Sequence, residues 1–196
     1  MLIRIAMRLG LFPLLFAGYL AACAGPAKHV SADPEKSAFL FPLGNYVHEV
    51  KLDIPSNPDP SKRTFTFRGA VKISADAIRI VVLSPIGTTL FRMSEDRATG
   101  KVTVENFVDS LKPYESKLTD YYASLRVLLT MLRRPPADTP GLERDPEGRP
   151  LSFKTSVDGR PTRFTFARYD EHQIPTALGV VADSFTVDVK VLGYEI

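Results

Sequence analysis

Cysteine is almost absent from this 196-residue chain, Cys23 being the only one. That excludes an intrachain disulfide framework and a zinc site built on cysteines. Tryptophan is missing altogether, and the three histidines, His29, His48 and His172, are scattered without ligand spacing. No G-x-S-x-G elbow, H-E-x-x-H pair or phosphate-binding glycine loop occurs, so no catalytic residue, metal or cofactor is implied. The acidic pairs Glu95-Asp96 and Asp170-Glu171 fall at predicted turns and read as solvated carboxylates rather than as an acid–base couple. The expectation is a protein that is not an enzyme.

A strong charge imbalance is lacking too. The net charge is +3 and the isoelectric point about 9.0. Arg4 and Arg8 are the only charges before Lys28, and they precede a short apolar run, Leu9 to Leu20, interrupted by Pro13 and Gly18. A membrane-spanning helix needs about 20 apolar residues, so the run reads as the core of a secretory signal over residues 1–22. It closes on Leu20-Ala21-Ala22-Cys23, which resembles the bacterial lipobox. That resemblance implies that Cys23 becomes the acylated first residue of the mature protein, anchoring it to a membrane. Removing residues 1–22 takes away two Arg and no acid, which leaves a net charge of +1. With so little positive charge, and no interleaving of basic and aromatic residues, nucleic acid is set aside as a partner. Ala24 after the Cys resembles the signal for outer-membrane residence, with the domain facing the periplasm. Residues 23–38, polar or small after the Cys, read as the tether.

From residue 39 to 196 the chain reads as one domain built mainly of strands. Tyr46, His48, Val50 and Leu52 share one face of an alternating segment that is apolar except for His48. Pro55, Pro58 and Pro60 break it. Thr64 to Ile73 alternates again, with Phe65, Phe67, Val71 and Ile73 on one side. Ala77 to Leu83 is a denser apolar run that turns at Ser84-Pro85-Ile86-Gly87 into Thr88–Met93, and Ala98–Lys101 turns into Val102–Val104.

The period then changes. Leu118, Tyr122, Leu125, Leu128 or Leu129, and Leu132 mark a helix face at intervals of three and four. Arg133 and Arg134 suit its C-terminal end, and Pro135-Pro136 stops it. A loop over residues 137–150 leads to strands at Leu151–Val157, Thr162–Tyr169, Ile174–Val181 and Phe185–Val191. The expected fold is α+β but mainly β: a curled antiparallel sheet or incomplete barrel, with helices covering its concave apolar face.

Ile80-Val81-Val82-Leu83-Ser84-Pro85-Ile86-Gly87-Thr88-Thr89-Leu90 resembles the strand–Asn/Ser-Pro-Leu-Gly–strand signature of the outer-membrane receptor LolB and of LolB-like lipoproteins. The surrounding motifs follow in the family's order. Phe67-Arg68-Gly69-Ala70-Val71 precedes the signature, and Gly100-Lys101-Val102-Thr103-Val104 follows it. A leucine-rich helix ending at Leu132-Arg133-Arg134-Pro135 comes next, then Ile174-Pro175-Thr176 before a terminal alternating strand. The likeness covers roughly residues 45–196. Ile86 stands where the receptor has a protruding Leu, and the Trp often found in the family's cavity has no counterpart.

The resemblance implies a lipid-binding domain of the LolA/LolB type. Its inward faces would bring Phe65, Phe67, Val71, Ile80, Val82, Leu90 and Val104 together with the helix residues Leu125, Leu128 and Leu129 to line a cavity for acyl chains or lipoprotein cargo. Pro85, Ile86 and Gly87 would form a loop that contacts the membrane, and a periplasmic carrier protein would be a partner. Two alternatives stay open on the residues themselves. The same apolar faces could pack as the solid core of a scaffolding envelope lipoprotein with a protein partner, and Ile86 could fold back to cap that core. A hydrolase acting on envelope lipids is the third and weakest reading.

Overall fold

The computed structural model describes residues 38–105 and 108–196. Ten antiparallel strands form one sheet: β1 (Gly44–Asp53), β2 (Thr64–Ile73), β3 (Ala77–Leu83), β4 (Thr89–Asp96), β5 (Val102–Glu105), β6 (Glu143–Arg144), β7 (Pro150–Val157), β8 (Arg160–Tyr169), β9 (Pro175–Ala182) and β10 (Phe185–Glu195). Their order is β5-β4-β3-β2-β1-β10-β9-β8-β7-β6. Every connection within β1–β5 and β6–β10 is thus to a neighbour in the sheet. The exception is the connection from β5 to β6, which runs between the two edges of the sheet, while β1 and β10 pair in its middle. The terminal strands β5 and β6 do not pair with each other, so the sheet is open rather than closed into a barrel.

Period-two patterning sets which side chains face inward. In β2, Val71 and Ile73 are buried while Arg68 and Lys72 are exposed; in β8, Thr162, Phe164 and Phe166 are buried while Pro161, Arg163 and Ala167 are exposed. Two-residue turns close the tighter hairpins. Asp158 and Gly159 both take positive φ, 48° and 77°, between β7 and β8, the twist that a tight hairpin connection demands.

One α-helix, α1 (Glu115–Leu129), lies among the described residues, preceded by a 3-10 segment at Asp109–Tyr114. The apolar spacing predicts one helix here, and the expected fold has helices covering the concave face; among the described residues this is the one α-helix. It also ends three residues before Leu132, so Arg133 and Arg134 do not occupy its last turn. Tertiary pairing takes the backbone there: Leu40 N–H donates to Met131 O (2.8 Å) and Arg133 N–H to Ala38 O (2.9 Å), with Phe39 bridging Leu132. A residue before proline also avoids helical geometry, which disfavours continuation at Arg134. Leu132, expected on the helix face, is consequently exposed. The expected loop over 137–150 contains the short edge strand β6, too brief for any periodicity to betray.

Tyr46, Phe41, Leu128, Phe164 and Ile174 are among the most deeply buried side chains of the core. Among the described residues no helix is long and apolar enough to cross a membrane.

Candidate functional site: an apolar cavity between sheet and helix

The inward faces do not fill the space they enclose. A cavity of about 220 Å³ lies between α1 and strands β1, β2, β3, β4, β9 and β10. Side chains from β4 (Phe91) and β9 (Val180) both border it. Those strands are five neighbours apart in the sheet, about 24 Å if the sheet were flat, so it must curl to bring both to one cavity. The space exceeds the roughly 150 Å³ of an apolar void that stays dry and takes up benzene.

Of the residues expected to line a cavity, Phe65, Phe67, Val71, Ile80, Val82, Leu90, Leu125, Leu128 and Leu129 all border it. Val104 does not. It sits half-buried on the edge strand β5 opposite Met93 of β4, and the lining ends at Met93. Residues that sequence reasoning missed include Leu52, Ile54, Tyr121, Leu178 and Phe185. Cys23 lies outside the described residues.

Burial is uneven along the strands. Val71, Ile80, Val82, Met93, Leu128 and Leu129 are buried, whereas Val50, Leu52, Phe65, Phe67 and Leu90 are only half-buried. Strand register gathers the second group at one end of the sheet. Asp53 at the end of β1 pairs with Thr64 at the start of β2, Arg68 of β2 with Leu83 at the end of β3, and Leu83 with Thr89 at the start of β4. The Ser84-Pro85-Ile86-Gly87 turn joins β3 to β4 at that same end. Gly87 N–H donates to Ser84 O (2.9 Å), Ser84 N–H to Thr88 O (2.8 Å) and Thr88 N–H to Ser84 Oγ (3.0 Å). Pro85 fixes the second turn position and Gly87 takes φ 89°, a conformation glycine adopts without cost. Ile86 is 90% exposed, so it projects from the turn and does not fold back to cap the core.

The helix is held over the cavity by a buried carboxylate. Glu95, read from sequence as a solvated turn residue, lies within β4 and is 2% exposed. Tyr122 Oη donates to its Oε2 (2.5 Å), and Arg126 Nε lies 3.0 Å from its Oε1. Both partners come from α1, one turn apart, so a single carboxylate fixes the pitch of the helix against the sheet. Burial, and then the Glu95 carboxylate, hold the Tyr122 phenol well above the usual tyrosine range, so it stays a donor. At the other end of the lining, Tyr121 meets Phe185 of β10 edge-on with centroids 4.7 Å apart.

Polar side chains interrupt the apolar wall in its buried part, Ser124 of α1 and His48 among them. His48, mid-strand in β1, is 4% exposed, borders the cavity, and stacks on Tyr46 with centroids 6.1 Å apart. Burial pushes its pKa down from 6.5 to about 4, so the imidazole is neutral at pH 7. Tyr46 is fixed in turn by donating its hydroxyl to Pro42 O (2.8 Å). Among the described residues no group of His, Cys, Asp and Glu could hold a metal ion.

No family model matches the chain, and no curated protein is similar to it. Among solved structures, the chain is similar to a LolA superfamily protein from Nitrosomonas europaea. The superposition has a TM-score of 0.50 and covers 84% of this chain and 90% of that one, at 9% sequence identity. Identity so low carries the fold alone. The described chain, one open ten-stranded antiparallel sheet with a single α-helix, has the LolA/LolB-type fold.

Proposed function

We propose that this protein is a membrane-tethered lipoprotein that binds acyl chains in the sheet–helix cavity and helps pass lipid or lipoprotein cargo to the outer membrane. The observation that carries the reading is the coincidence, at one end of the sheet, of the cavity's half-buried lining and the exposed Ile86. An acyl chain gains about 0.8 kcal/mol for each CH₂ withdrawn from water, so an unfilled apolar cavity is a strong attractor for one. Cys23 would supply the lipid anchor, on the outer membrane facing the periplasm, and residues 23–38 the tether. A periplasmic carrier protein would deliver the cargo.

Ile86 fits a release step in this reading. A single isoleucine contributes only about 1.5–3 kcal/mol on leaving water. That is too little to anchor a protein but enough to bias a tethered turn toward the bilayer. The stiff Pro85-Ile86-Gly87 turn loses little freedom when its tip inserts.

Mass spectrometry of lipids extracted from the natively purified full chain tests the proposal. Stoichiometric acyl species are expected. A chain that carries none, and that takes up no fluorescent fatty acid, would instead be a scaffold, and the carrier reading would be wrong.

A further inference from the structure

The cavity stops at one depth along five strands, and in each the next residue on the same face is packed. Tyr46 follows His48 on β1, Ile73 follows Val71 on β2, and Ile78 follows Ile80 on β3. Glu95 follows Met93 on β4, and Val191 follows Val189 on β10. None of these five is more than 8% exposed. They form a floor at the end of the sheet away from the Ser84–Gly87 turn. Phe41 meets Tyr46 edge-on there, with centroids 5.5 Å apart. The segment carrying Phe41 is tied on both sides, Leu40 N–H to Met131 O and Tyr46 Oη to Pro42 O. The half-buried lining lies at the opposite end, so the cavity has a mouth there and is blind at the floor.

The room between mouth and floor is small. An apolar void of roughly 150 Å³ takes up benzene, which has six carbons, so in proportion the 220 Å³ here holds about nine. Length gives a second limit. Leu52 at the mouth and His48 above the floor are four residues apart on β1, about 13 Å. Three single bonds of an extended backbone cover about 3.6 Å, so an extended chain of about twelve carbons spans that distance. Two chains side by side would have to share the same volume, which leaves only about four or five carbons to each.

We propose that the cavity is a blind pocket for one straight acyl chain, entered methyl end first, that measures the chain at about nine to twelve carbons. This deepens the carrier reading and rests on it. No charged residue borders the cavity, and a charged headgroup drawn inside would lose its water without meeting a counter-ion. The headgroup, and any second or third chain of the same cargo, therefore stays at the mouth.

The test is calorimetric titration of the full chain at pH 8 with straight-chain carboxylates from hexanoate to myristate, each below its micellar concentration. Affinity is expected to rise about fourfold for each added carbon, the scale of one buried CH₂, and then to break at nine to twelve carbons, with less than twofold per carbon beyond. Native mass spectrometry should find one decanoate per protein at saturation. Ile78→Ala takes three carbons out of the floor, and a space left in this way collapses only in part, so the break should move to chains about two carbons longer. A fourfold rise that continues to myristate, two decanoates at saturation, or a folded Ile78→Ala whose break stays in place overturns the single-chain pocket and leaves the carrier reading standing. Should Ile78→Ala not fold, the wild-type series and the stoichiometry decide. Absence of binding at every chain length overturns the carrier reading, and the pocket with it.

Discussion

Acid should weaken this fold before its carboxylates begin to protonate, and His48 should be the reason. The histidine titrates near 6.5 in the unfolded chain and at about 4 in the folded one, and burial alone causes the difference. The unfolded state therefore takes up the proton first, so stability is complete above pH 6.5 and falls as the pH drops toward 4. The two pKa values give a loss of about 2 kcal/mol between pH 7 and pH 5, approaching about 3 kcal/mol at pH 4. Asp53, Asp76, Asp96 and Asp145 have carboxyls held below the ordinary 3.8. Their contributions persist above 3.8 and fade only at lower pH, below this window. Urea unfolding at pH 7 and pH 5, followed by tyrosine fluorescence and circular dichroism, measures the effect directly. His48→Leu should flatten the pH dependence over that interval, whatever it does to stability at pH 7. A wild-type midpoint that stays constant from pH 7 to pH 5, or a His48→Leu variant that loses as much as wild type, would refute the account.

The remaining predictions concern the helix, the turn and the anchor. Tyr122→Phe strips a hydrogen bond from the buried Glu95 carboxylate and should cost about 1–3 kcal/mol by denaturant unfolding; a neutral result would mean that Glu95 does not hold the helix. Leu128→Ala, at a fully buried position, should cost about 2–5 kcal/mol, and Leu125→Ala, on the half-buried wall, clearly less. Equal core-like penalties would favour a solid core over a cavity. Ile86→Glu should leave stability within about 0.5 kcal/mol, as for other exposed substitutions, yet slow transfer of a fluorescent acyl cargo to liposomes; unchanged transfer would remove the tip from the mechanism. Cys23→Ala should abolish metabolic labelling with fatty acid, and retained label would place the anchor elsewhere.

Much of the fold was legible because strands and helices advertise themselves locally. Period two in Thr64–Ile73 and Phe185–Val191, and intervals of three and four in Leu118–Leu129, report which face of each element is apolar, and that is a property of neighbouring residues. Pro85 and Gly87, or Asp158 and Gly159, mark turns for the same reason: the backbone there has few choices. The helix terminus was misread where a distant segment, Ala38–Leu40, took the backbone groups of Met131–Arg133. β6 was invisible because two residues carry no period.

What tertiary structure decided is everything that depends on distance across the sheet. An apolar face in sequence is the same whether the space in front of it is filled or empty, and only the curl that brings β4 and β9 around α1 leaves the cavity open. Glu95 looked like one of two turn carboxylates until Tyr122 and Arg126, far along the chain, closed over it. Ile86 could have folded inward, and the β3–β4 turn leaves it in water instead. His48 broke an alternating pattern and was visible as the odd residue on its face. Its isolation was not, because it depends on Gly69 and Val191 standing opposite it, and strand pairing is a long-range outcome. The sequence determined which side chains turn inward; the sheet's register and curvature determined what they enclose.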